Sequence, residues 1–136
     1  MTELASTMTP CEIASQAARA ITVLNELTHG GGELTTADDV RAIVGSLELI
    51  GLSLPQLCEQ LARFLVIQQE DGQLEHEQGL EVGDTVTEVI EALAAAGQAA
   101  DMMTAALAET RAASAQLTPA RARGGGELGK RGSDAR

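Results

Sequence analysis

Apolar residues recur at steps of three and four along most of this chain, and nowhere alternate with polar ones over a useful stretch. Such spacing places side chains on one stripe of a helix, whereas a half-buried strand needs a period of two. Ile13, Ala17, Ala20, Leu24 and Leu27 form the first stripe, flanked by Ile21 and Val23. Val40, Ile43, Val44, Leu47 and Ile50 form a second, and Leu54, Leu57, Leu61, Phe64 and Leu65 a third. The fourth is the longest and runs through Val86, Val89, Ile90, Leu93, Ala96, Ala100, Met103 and Leu107. Strand-forming residues are scarce, so the expected class is all-α.

Punctuation between the stripes sets the expected boundaries. Thr9, Pro10 and Glu12 make a capping-box pattern with proline at the first helical position. Gly30-Gly31-Gly32 ends that helix after His29, because glycine takes the left-handed exit. Thr35 or Thr36 opens the next, with Asp38 and Asp39 complementing its N-terminal dipole. Gly51 interrupts, and Ser53 with Gln56 and an early Pro55 reads as a fresh start. Asp71-Gly72 marks a turn, and residues 71–83 read as a mobile acidic connection. Asp84 then caps the longest helix, with Gly97 as a candidate bend and Thr118-Pro119 as its stop. The expected architecture is a four-helix antiparallel bundle with coiled-coil-like packing and helices near 10–29, 36–50, 54–69 and 85–115. In domain terms, 1–8 is a flexible N-terminus, 9–116 the acidic helical bundle, and 117–136 a basic Gly/Arg-rich disordered tail.

Composition narrows the function classes. Phe64 is the single aromatic residue, so the core must be built from Ala, Leu, Ile and Val, with small residues allowing close helix approach. Residues 1–116 hold 18 acids against four arginines, whereas the last 20 residues carry a net charge of +3. An acidic body argues against nonspecific binding to nucleic acid or to an anionic membrane. No signal peptide and no run of about 18 uninterrupted apolar residues is visible, so the expected location is cytoplasmic, with no membrane partner. Cys11 and Cys58 are far apart and in no Cys-x-x-Cys arrangement, and are expected as free thiols of a reducing compartment.

No constellation of catalytic residues emerges. His29 and His76 lie at a helix end and in a loop, without the three or four converging ligands a zinc site needs. The glycine run at 30–32 lacks the strand and lysine of a phosphate-binding loop. Adjacent acids such as Asp38 and Asp39 splay around a helix instead of converging for acid–base work. No enzyme activity, cofactor or metal is expected.

Ala18 to Asn25, Asp39-Val40 through Val44-Gly45-Ser46-Leu47, and Leu54-Pro55-Gln56-Leu57-Cys58-Glu59-Gln60-Leu61-Ala62 carry a resemblance. Over residues 9–116 the chain resembles small all-helical proteins of high-GC actinobacteria that have no established activity, some lying near mobile-element genes. The resemblance implies a cytoplasmic bacterial protein linked to a plasmid or integrated element. It carries over no functional residue. A comparison with secreted actinobacterial helical hairpins fails, because the Trp of their Trp-x-Gly turn has no counterpart in this chain.

The expected function is a non-enzymatic helical protein-interaction module, an adaptor, accessory or regulatory subunit with a protein partner of unknown identity. Met102, Met103, Ala106 and Leu107 on the overlong last helix are the candidate interaction face, which also makes a homo-oligomer an expected assembly. The alternative is a nucleic-acid-linked factor. It would act as a DNA-processing accessory through tail contacts at Arg121, Arg123, Lys130 and Arg131, or as an acidic decoy for a DNA-binding protein. A third class is a bundle enclosing an apolar ligand cavity.

Overall fold

The computed structural model describes residues 7–120. Three long α-helices and one 3-10 turn order this part of the chain, with no strand among the described residues. Helix α1 spans Pro10–Thr28, α2 spans Ala37–Glu70 and α3 spans Val82–Ser114. The described residues divide into two compact units between Thr36 and Ala37.

The first unit is α1 with the turn that ends it. The Thr9 hydroxyl accepts from the Glu12 amide at 3.1 Å, and the Glu12 carboxylate accepts from the Thr9 amide at 2.9 Å. This is the reciprocal box the sequence predicts, and it satisfies two N–H groups that no helical carbonyl reaches. At the other end a 3-10 turn covers His29–Gly31, with Gly30 at φ 63° and Gly31 at φ 87°. The Glu33 amide closes the exit on the Leu27 carbonyl at 2.9 Å.

The second unit is an α-helical hairpin, and it corrects the four-helix expectation. The segments read as helices 36–50 and 54–69 are one helix of 34 residues, with Pro55 inside it. The reason is local. Ser53 does not cap a new helix; its hydroxyl donates back to the Leu49 carbonyl at 3.1 Å, as interior serines do. Pro55 removes one backbone hydrogen bond, yet the helix continues through it, and α3 packs against Gly51 before it and Cys58 after it. Sequence punctuation of roughly 3 kcal/mol is thus overridden by packing.

Fusion of the two segments changes the proportions. At about 1.5 Å per residue, α2 and α3 are roughly 51 and 50 Å long, so the last helix is not longer than its partner. α3 also starts earlier than expected, after Glu81, which makes no side-chain cap. The connection between them is ordered by turns: Gln73 donates to the Gln68 carbonyl, Gly79 to the His76 carbonyl, and Leu74 and His76 are half-buried.

Candidate interaction surface

Three contacts fix how α2 meets α3. Gly51 lies against Met103 and Thr104; Gly97 lies against Pro55 and Cys58; Glu48 reaches Arg111. Continued along α2 at steps of four and three, this line passes through Val44, Glu48, Gly51, Pro55, Cys58, Ala62 and Leu65. On α3 it passes through Val86, Ile90, Leu93, Gly97, Ala100, Thr104, Leu107, Arg111 and Ser114. Both lines keep the 3.5-residue repeat that lets two helices stay in contact by supercoiling.

The middle of the seam is built from small residues: Gly51, Cys58 and Ala62 on α2, and Gly97, Ala100 and Thr104 on α3. A Cβ at Gly97 would sit 3.5 Å from Pro55 Cα, so the two backbones nearly touch there. A Cβ at Gly51 would collide with the Thr104 hydroxyl, which is held by donating to the Ala100 carbonyl at 2.7 Å. Gly97 is therefore a close-approach point. Close approach has a consequence for burial: among the described residues only Val44, Val86 and Ala100 are buried hydrophobic residues.

One ion pair crosses the seam. Arg111 Nε donates to Glu48 Oε1 at 2.6 Å and Nη2 donates to Oε2 at 3.2 Å. That two-pronged geometry suits a planar guanidinium facing a carboxylate. The hydrogen bonds from Arg111 hold the Glu48 carboxyl below its ordinary value near 4.5, and push Arg111 further up. Nothing in the sequence singles out this pair, because its partners are 63 residues apart.

The large apolar residues of α2 lie elsewhere. Val40, Ile43, Leu47, Ile50, Leu54, Leu57, Leu61 and Phe64 follow the same alternating steps of three and four, offset around the helix from the seam. At 100° per residue the two stripes are centred about 100° apart, one residue out of step. None of the eight is buried: Leu57 is 48%, Leu61 49% and Phe64 58% exposed. Val89 and Met103 of α3, both exposed, stand on the side of the seam that borders this outer stripe. On the other side a groove of about 300 Å³ carries Glu59 and Asp101.

Of Met102, Met103, Ala106 and Leu107, expected as an interaction face, the structure places two at or beside the seam and two on the far side of α3. Leu107 is half-buried on the seam line, and Met103 borders the outer stripe. Met102, 74% exposed, and Ala106 point away from α2. Arg121, Arg123, Lys130 and Arg131 lie outside the described residues, as do positions 1–6. Both thiols are free, Cys11 exposed and Cys58 half-buried at the seam beside Gly97.

Sites for small ligands are open clefts. One of about 310 Å³ lies where the 71–81 connection meets α2 and α3, lined by Leu65, His76, Val82 and Val86 among others. The His76 Nδ1 accepts from the Gln78 amide at 3.0 Å, so the turn itself uses that nitrogen. No group of three or more His, Cys, Asp or Glu among the described residues is arranged to hold a metal ion. By length and composition α2 is the one described helix long and apolar enough to cross a membrane, with a mean hydropathy of 1.3 in its best 18-residue window. Fusion of two shorter segments creates that length.

Comparison with known proteins finds no family model, no curated protein and no solved structure that matches this chain.

Proposed function

We propose that this protein is a non-enzymatic helical interaction module whose docking face is the outer stripe of α2. The observation that supports it is a line of eight large apolar residues on one strict 3.5-residue repeat, none buried and five of them exposed (Val40, Ile50, Leu57, Leu61 and Phe64), beside a seam that already joins α2 to α3. Fully burying one such side chain is worth about 1.5–3 kcal/mol, and Val40, Ile50, Leu57, Leu61 and Phe64 remain 39–58% exposed. Exposed apolar patches of this extent mark interaction surfaces. The repeat specifies the chemistry of the occupant, since only another helix matches it along its length.

A lipid bilayer fits less well. α3 accompanies α2 along its length and bears Glu88, Glu91, Asp101 and Glu109 on exposed positions. Taking those carboxylates into hydrocarbon would be costly. The resemblance noted for residues 9–116 favours a cytoplasmic bacterial setting for this module, as an accessory or regulatory component.

The test is photo-crosslinking in cells. A photoreactive residue at Leu57 should yield protein adducts, while one at Glu91, on the outer side of α3, should not. Adducts to lipid at Leu57, or none at either position, would overturn the reading.

A further inference from the structure

We infer that the occupant of the outer stripe is the outer stripe of a second copy, running antiparallel about a two-fold axis beside Leu52. This rests on the reading of that stripe as the docking face, and it names the partner.

Charge is the first argument. A chain of net charge −11 can appose itself only through a surface free of its own acids. The outer stripe carries none between Val40 and Phe64, and its far flank carries Ser46, Ser53 and Gln60. From Ala42 to Cys58 the only charge on α2 is Glu48, which is paired to Arg111 across the seam. A basic partner helix would be matched by acids along that flank, and the acids lie instead on the groove side at Glu59 and Asp101. An uncharged polar flank suits self-pairing.

Size is the second argument. Antiparallel pairing about Leu52 opposes Val40 to Phe64, Ile43 to Leu61, Leu47 to Leu57 and Ile50 to Leu54, and each pairing occurs twice by symmetry. The smallest member meets the largest, the middle layers are matched, and no stripe residue is left without a partner. An isologous contact requires this self-complementarity. Shifting the register by one heptad leaves residues at both ends unpaired. The alternation of steps also reads the same in both chain directions, as antiparallel pairing of like helices needs.

The experiment uses the purified full chain. Light scattering during size-exclusion chromatography, with refractive index as the concentration signal, should give a dimer. Leu57→Asp/Leu61→Asp should convert it to monomer, while Leu49→Asp should leave it dimeric, because Leu49 is 66% exposed but lies outside the stripe. A monomeric parent chain, or a dimer that survives the stripe substitutions, would overturn the proposal.

Should the double variant unfold, single cysteines in a Cys11→Ser/Cys58→Ala background decide the matter. At about 1.5 Å per residue, the proposed two-fold leaves the two copies of Ser53 offset by roughly 3 Å along the helix direction, those of Ser46 by roughly 18 Å and those of Gln60 by roughly 24 Å. Ser53→Cys should therefore oxidise to a linked dimer at least tenfold faster than Ser46→Cys or Gln60→Cys. Equal rates at all three would overturn the antiparallel register. A monomer in solution that still gives protein adducts at Leu57 in cells would refute self-pairing alone; no adducts would refute the docking face with it.

Discussion

Two stripes run side by side on α2, over the same stretch of helix and with the same period, and they differ in side-chain size at their middle. The inner one includes Gly51, Cys58 and Ala62, and lies against α3. The outer one includes Ile50, Leu57, Leu61 and Phe64, which remain 44–58% exposed. Hydrophobicity alone would have ordered them the other way. What decides is how near two backbones can come: small side chains let α2 and α3 approach until Gly97 meets Pro55, and the bulky stripe then stands off to one side. The seam provides close contact over a long path with little buried area, and the stripe holds the area that is left.

The comparison predicts unequal effects for the same substitution at two seam glycines. Gly51→Ala should destabilise the hairpin by about 1–3 kcal/mol, because its Cβ collides with a threonine fixed to the helix backbone. Urea unfolding followed by circular dichroism at 222 nm measures this, and a neutral result would mean the seam is looser than it is drawn. Gly97→Ala should instead be neutral or stabilise by up to about 1 kcal/mol, since the new methyl meets Pro55 at ordinary contact distance and the helix gains in propensity. Loss of stability there would show that the backbones are closer still.

The smallest effect concerns pH. The carboxyl of Glu48 titrates below its unfolded value near 4.5, so its pairing with Arg111 stabilises the fold fully above that pH. The contribution disappears as pH falls through the lowered folded value. Unfolding midpoints of the parent chain and Glu48→Gln should differ at pH 7 and converge in strong acid. A difference that persists at pH 2 would assign the effect to packing at the seam and not to charge.

Much of α1 was legible in the sequence. Thr9, Pro10 and Glu12 cap it as their chemistry dictates, and the three glycines after His29 end it, because caps depend on residues within a few positions of each other. The stripes of α2 were legible too, but as core. Val40, Ile43, Leu47 and Ile50 stood out for their size, whereas the seam residues Gly51, Cys58 and Ala62 looked like interruptions or filler. The break expected at Gly51 to Pro55 failed for the same reason: those residues read locally as a stop and a start, while their tertiary role is to bring α3 close. A search for small residues at 3.5-residue spacing on both segments would have found the seam. Glu48 and Arg111 offered no such signal.

By itself, the sequence determined the all-helical class, the caps of α1, the two glycine-rich and acidic connections, and the presence of large apolar stripes. These follow from periodicity and short-range hydrogen bonding, which any stretch of a dozen residues expresses without its neighbours. The tertiary structure alone decided that two predicted helices are one, that the line through Gly51, Cys58 and Ala62 faces α3, and that the large-residue stripe stands beside the seam with none of its members buried. Those outcomes depend on backbone-to-backbone distance between segments some 50 residues apart, a quantity set only when α2 and α3 pack together.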